Sequence, residues 1–202
     1  AAPRAVFAQP LQAAELRLLK SQLNPNFLFN ALNGLRALIA DEPARARDAV
    51  TQLARTLRYT LASGEEDLVS LERELEMVDD YLELESLRLA DRLRVEREID
   101  SAARSVRVPI MLLQTLVENA IKHGIAPLKE GGTLRITARV VEKNLILQVV
   151  NPRPEDSASM TNEGVGLRNA SERLRLLFGA RASLHLDLSQ ASQATAEVRL
   201  PL

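Results

Sequence analysis

Cysteine is absent from this 202-residue chain, which excludes disulfides, thiolate chemistry and cysteine-based metal sites and suits a cytoplasmic protein. Tryptophan is absent too, and aromatics make up only 3% of residues against 46% hydrophobic, so the core has to be packed largely with leucine, which leans towards helices. Neither sign of charge dominates. With 26 basic and 27 acidic residues the net charge is −1, which gives no electrostatic case for direct nucleic-acid binding or for an anionic membrane surface. The longest apolar run, Val108 to Val117, is interrupted by Gln114 and too short to span a bilayer. No signal-peptide pattern, internal repeat or low-complexity run is present. The length suits one large or two modest domains. The abrupt opening AAPRAVFAQP reads as the start of a fragment, with membrane attachment expected only through a missing upstream region.

What is there centres on LLKSQLNPNFLFNALNGL, Leu18 to Leu35. A three-four stripe runs Leu16, Leu19, Leu23, Asn26, Asn30, Asn33, apolar for two turns and polar for the next two. A helix built only to pack would continue the leucines. Pro25 lacks an N–H and crowds the carbonyl four residues back, so a kink or break is expected at Asn24-Pro25. A plain helix boundary, with Asn24 as N-cap and Pro25 at the first helical position, accounts for the proline equally well. It does not account for the row of amides.

The helix is expected from about Leu11 to Ala40, with Asp41-Glu42-Pro43 as its stop, and a second from Ala44 to Ala62 with Val50, Leu53, Leu57 and Leu61 on one face. Two such helices leave a stripe uncovered, which a homodimer closing into a four-helix bundle would cover; packing on the rest of the same chain is the alternative. Glu65-Glu66-Asp67 reads as an acidic linker. A strong helix follows from Ser70, as N-cap, to Leu89, with Leu71, Leu75, Val78, Leu82 and Leu89 on one face. Arg94 to Ile99 alternates like a strand, and Val108-Pro109 opens a helix expected to reach His123. Strands are expected over Leu134 to Val140 and Asn144 to Val150, and the polar stretch Pro152 to Glu163 should be mobile. A helix from Gly164 to Phe178 and strands over Ala182 to Leu188 and Thr195 to Leu200 complete the chain. The fold class is α+β, with an α/β sandwich carrying helices on one face of a mixed sheet after the helical hairpin.

Two motifs carry chemistry. In LVENAIKHG, Leu116 to Gly124, the apolar residues occupy one side of a helix and Glu118, Asn119, Lys122 and His123 share the other. An amide, a carboxylate and an ammonium within one turn suit Mg²⁺ and a triphosphate, an oxygen for the hard cation and a positive charge for the phosphates. A solvated polar face has the same residues. In GVGLRNASERLRLLFG, Gly164 to Gly179, Gly164 and Gly166 let backbone approach phosphate oxygens before a helix N-terminus. A lone G-x-G is common; the two motifs in this order are not.

That order resembles the ATP-binding domain shared by histidine kinases, gyrase and MutL. VPIMLLQTLVENAIKHG is similar almost throughout to V-P-x-x-L-L-Q-x-L-V-E-N-A-[IV]-K-H-G of the LytS-type sensor histidine kinases, and YLELESLRLADRLRVE to their Y-L-x-[IL]-E-x-x-R-x-x-x-R-L-x-V. LLKSQLNPNFLFN resembles their L-K-x-Q-[IL]-N-P-H-F-L-F-N, with Asn26 where the family has its phosphoryl-accepting histidine. The resemblance covers about Leu16 to Leu202. It implies dimerisation and phosphotransfer helices over residues 1–66 and a catalytic ATP-binding domain over 67–202, in a cytoplasmic part of an inner-membrane sensor. It implies ATP and Mg²⁺ as cofactors, with Asn119 on the metal and Lys122 and His123 at the phosphates. Gly164, Gly166, Leu167 and Asn169 would lie at the nucleotide beneath a lid formed by residues 152–163.

Two departures qualify the activity so implied. A carboxamide at position 26 cannot accept a phosphoryl group as an imidazole nitrogen does, so autophosphorylation is expected to fail. The wider superfamily's D-x-G-x-G, whose Asp accepts from the adenine amino group, is here Asn151-Pro152-Arg153; Asn151 can accept without the charge. The implied partners are a second copy of the chain and a response regulator, often of the LytTR type. Asn30, one turn after Asn26, matches an offset at which several histidine-kinase families place an amide that orients the water hydrolysing the regulator's aspartyl phosphate. Capping of a kinked helix is the alternative role. A natural pseudokinase, an ATP-binding dimeric scaffold or regulator phosphatase, is the second reading of the whole. A clamp ATPase like gyrase or MutL is disfavoured because Thr115 stands where those proteins have a general-base glutamate.

Overall fold

Burial alternates residue by residue along the long strands and gives the central sheet one dry and one more exposed face. The computed structural model describes residues 42–62, 67–154 and 165–202, with positions 32, 33, 35, 36 and 39 besides. Asn26 and Asn30, Gly164 and most of the stretch expected to form the lid lie outside the described residues. The elements are α1 (Pro43–Ala62), β1 (Leu68–Ser70), α2 (Leu71–Leu89), β2 (Leu93–Ile99), α3 (Ser101–Arg104), β3 (Arg107–Pro109) and α4 (Leu112–Ala120). A π-helical turn (Ile121–Ile125) follows, then β4 (Gly132–Val141), β5 (Asn144–Pro152), α5 (Val165–Phe178), β6 (Ser183–Asp187) and β7 (Gln193–Pro201).

The main sheet has the order β2-β4-β5-β7-β6. Among the described residues β2 pairs with β4 in parallel, Val95 facing Leu134, and the other pairs of this sheet are antiparallel. Leu134, Ile136, Leu145, Leu147, Val149, Val198 and Leu200 are all buried on the dry face, where α2, α4 and α5 share one core with them. The wet face carries cross-strand pairs instead: Arg135 on Glu96 and Arg139 on Glu98, each at 2.9 Å, and Gln148 on Glu197 at 2.7 Å. Such exposed ion pairs contribute at most about 1 kcal/mol each; on β2 they also charge an edge strand that could otherwise pair with another chain. The chain is thus α+β with a mixed sheet and its helices on one face.

α2 forms as its pattern requires. The Ser70 hydroxyl caps it by accepting from the Arg73 N–H at 3.3 Å, Glu72 and Glu74 lie in its first turn, and Leu71, Leu75, Val78, Leu82 and Leu89 are buried. α1 packs on α2 of its own chain. Here the expected stripe needs correction. Leu53 is buried, but Val50 is 54% exposed, and it is Ala46 and Ala49 that share the buried side with Leu53. Alanines let the two helix axes approach closely, and the Gln52 amide also reaches the Glu83 carboxylate. The side chains of Leu57 and Leu61 lie outside those described.

Val108-Pro109 needs a second correction. It belongs to β3, paired with β1 as Val69 on Val108, and the helix begins only at Leu112. Proline at a first helical position is a sound local rule, yet the Val108 side chain is fully buried and the pairing with β1 decides the conformation. The hairpin between β4 and β5 is also tighter than expected. Only Glu142 and Lys143 turn it, both at positive φ (47° and 62°) as a two-residue loop of this twist demands. Among the described residues no helix is long and apolar enough to cross a membrane.

Candidate functional site

α4 buries Leu112, Leu113, Leu116, Val117 and Ala120 and leaves Glu118 and Asn119 half-exposed on its other side. Beyond Ala120 the helix widens into a π turn, marked by the Ala126 N–H donating to the Ile121 carbonyl at 2.8 Å. Such turns are uncommon and recur at functional sites. The turn buries Ile121, Gly124 and Ile125 and presents Lys122, exposed, and His123, half-buried. Burial, and then the neighbouring Lys122 ammonium, hold the His123 imidazole below its ordinary value. Glu118 Oε1 accepts from Gln114 Nε2 at 3.0 Å.

The π turn rests on the end of β5. A Cβ at Gly124 would stand 2.0 Å from Asn151 Nδ2 and 2.6 Å from the Pro152 carbonyl oxygen, so only glycine allows this approach. Asn151 is 8% exposed, and its Nδ2 donates to the Pro152 carbonyl at 2.8 Å, which leaves Oδ1 as the acceptor end of the amide. Pro152 is backed in turn by Gly132, where a Cβ would meet Pro152 Cγ at 2.3 Å. The Arg153 guanidinium is tied to the Leu188 carbonyl at 2.8 Å. The π turn and position 151, nearly thirty residues apart in sequence, therefore meet at Gly124.

α5 closes another side. Gly166 is the second residue of this helix, and a Cβ there would lie 3.3 Å from Thr115 Cγ2, one turn before Asn119. The glycine thus serves the close approach of α5 to α4. Leu167 is 1% exposed and belongs to the core, whereas Asn169 is exposed. Arg92, from the YLELESLRLADRLRVE stretch, donates from Nη2 to the carbonyls of Ala126 and Leu128 at 3.0 and 2.6 Å and shapes the loop leaving the π turn.

Chemically, α4, the π turn and the end of β5 offer amide oxygens from Asn119 and Asn151, a neutral imidazole and an ammonium. No group of three or more His, Asp or Glu side chains able to hold a metal gathers among the described residues. A hard cation here would have one protein oxygen, from Asn119, and would draw the rest of its ligands from phosphates and water. Mg²⁺ beside phosphates takes few protein oxygens and keeps several waters, so the Asn119 amide, with the half-exposed Glu118 carboxylate next to it in the chain, is compatible with that ion.

Sequence reading missed Glu74, a carboxylate with no exposed surface. It accepts the Met111 N–H at 2.6 Å and the Leu113 N–H at 2.9 Å, at the start of α4. The signal was its spacing, three residues after Leu71 on the leucine stripe, where a solvated glutamate has no place. It missed also that Tyr81, Glu85 and Gln114 are buried between α2 and α4. Burial pushes the Tyr81 phenol well up, with the Glu85 and Glu118 carboxylates adding to the rise.

Residues 14–93 match the family described as Histidine kinase. Sensor histidine kinase YpdA of Escherichia coli K12 is 35% identical over 175 residues, 82% of this chain and 31% of that protein. Sensor protein LytS of Staphylococcus saprophyticus is 34% identical over 188 residues, 87% of this chain and 32% of that one. The chain thus spans about a third of the length of these curated relatives. Among solved structures, the histidine kinase domain of the blue-light activated kinase EL346 from Erythrobacter litoralis superposes with a TM-score of 0.53 at 14% identity, covering 88% of this chain and 96% of that one. At that identity the likeness bears on fold alone. The family match and the curated relatives agree, and the chain belongs to the LytS-type sensor histidine kinases.

Proposed function

We propose that this chain is the dimerisation and ATP-binding core of a two-component sensor kinase whose phosphoacceptor position is occupied by Asn26. The observation that supports the reading is the packing of the π turn on β5, Gly124 against Asn151, with Lys122 and His123 on that turn and Asn119 on the helix that leads into it. In this reading the Asn119 side-chain oxygen holds Mg²⁺, the Lys122 ammonium and His123 face the phosphates, and Asn151 Oδ1 accepts from the adenine amino group. Gly164 and Gly166 bring backbone N–H groups to the phosphates, with Leu167 and Asn169 following on α5. Bound Mg²⁺ would neutralise phosphate charge, and phosphoryl transfer then depends mainly on positioning and electrostatics. Glu118 stands next to Asn119 as the candidate base.

The expected partners are a second copy of the chain, joined through residues 11–62 into a four-helix bundle, and a response regulator, for which a LytTR type is the leading expectation. Membrane association would come through a sensor region outside this chain. Residues 1–66 and 67–202 divide these tasks. Asn26 itself favours one second reading, a pseudokinase that binds ATP and its regulator as a scaffold or acts as the regulator's phosphatase through Asn30; restoring histidine separates the two.

The direct test of the site is calorimetric titration with ATP, with Mg²⁺ and with EDTA, for the chain and its Asn119→Asp variant. Binding should require Mg²⁺ for full affinity, and the variant should weaken it by setting a carboxylate near the phosphates. Equal affinity in both proteins, or no dependence on Mg²⁺, removes the assignment.

A further inference from the structure

Helix N-termini carry backbone N–H groups without intrahelical partners, ordinarily met by the side chain just before the helix. α4 cannot use that solution. Met111, at its start, has φ 62° in the left-handed region and a side chain with no oxygen. The need is met from another helix: the fully buried Glu74 carboxylate of α2 takes the Met111 and Leu113 N–H groups, one on each oxygen. The same corner is held from its other side by α5, whose Arg173 Nη1 donates to the Ile110 carbonyl at 2.6 Å. α4 is only nine residues long, with Asn119 near its far end, so a tilt at the clamped end moves that side chain directly.

We propose that Glu74 is the positioning residue for the Mg²⁺-nucleotide site. It fixes the N-terminus of α4, and so the place of Asn119, relative to α2, the helix on which α1 packs. This rests on the ATP–Mg²⁺ reading above and adds to it a residue that touches neither ligand.

The experiment titrates ATP into the full chain and its Glu74→Gln variant, with Mg²⁺ and with EDTA, after circular dichroism has confirmed a wild-type-like fold. Glutamine keeps the shape and one acceptor oxygen but turns an NH₂ towards the second N–H. The Mg²⁺-dependent gain in affinity should shrink by about tenfold, because ligand binding must then supply the ordering of α4 that Glu74 no longer provides, while affinity in EDTA stays within about twofold. An unchanged gain, or equal loss in both conditions, makes Glu74 a cap for stability alone and overturns the proposal. Should Glu74→Gln fail to fold, Arg173→Gln releases the opposite side of the corner and should likewise lose the Mg²⁺-dependent gain; an unchanged gain there overturns the proposal equally. A wild-type chain without any such gain refutes the ATP–Mg²⁺ reading itself, and this proposal with it.

Discussion

Replacing Gly124 with alanine tests whether the π turn and the end of β5 form one fitted unit. The new methyl would stand 2.0 Å from Asn151 Nδ2, 2.7 Å from Asn151 Cγ and 2.6 Å from the Pro152 carbonyl oxygen. None of these can simply retreat. Asn151 is 8% exposed and bonded to that carbonyl, and Pro152 is already against Gly132. Overpacking a closed site costs about 1–3 kcal/mol, and stranding the buried Asn151 amide adds about 1–3 kcal/mol. Against this, alanine in a helical turn gains about 1 kcal/mol over glycine. The net loss is about 1–5 kcal/mol, which for a chain of this length lowers Tm by about 2–20 °C. The assay is thermal unfolding followed by circular dichroism, with Gly179→Ala alongside. Gly179 has φ 63° but open space around it, so alanine there meets only left-handed strain of about 1–2 kcal/mol. A Gly124→Ala protein as stable as wild type, or less affected than Gly179→Ala, would refute the reasoning.

Two further outcomes follow from the same structure. His123 has its folded-state value below its unfolded one, so the unfolded chain binds the proton first and stability falls as pH drops through about 6.5 towards the lower folded value. His123→Gln should flatten the denaturation midpoint over that interval, and an unaltered slope would assign the dependence elsewhere. Leu32, Ile39 and Val50 are 54%, 63% and 54% exposed among the described residues, which fits a second copy covering them. Light scattering at tens of micromolar should return twice the chain mass; a folded monomer contradicts the dimer.

Much of this fold was legible because the core obeys simple periods. β4, β5 and β7 alternate cleanly, and the leucine stripe and Ser70 cap of α2 stand where the pattern placed them. The errors came where tertiary contacts outweigh local rules. β1 and β3 have three residues each and exist through their pairing with one another, so Val108-Pro109 looked like a helix start. On α1 the leucine count did not show that Ala46 and Ala49 join Leu53 on the buried side while Val50 stays exposed. The motif residues were readable by type, but their assembly was not. That Gly124 is a contact for Asn151, and that Glu74 ends inside the core as the cap of another helix, are facts of three-dimensional packing that no single stretch displays.

The measurement closest to the central claim is incubation of the chain with γ-labelled ATP and Mg²⁺, beside an Asn26→His variant, followed by separation under conditions that preserve phosphohistidine. If the proposed ATP site works and Asn26 alone blocks transfer, the unaltered chain should carry no stable label and the variant should carry it. Label retained on the unaltered chain would mean a different acceptor, His123 or His185. A variant that binds ATP yet stays unlabelled would contradict the kinase reading and leave the scaffold in its place.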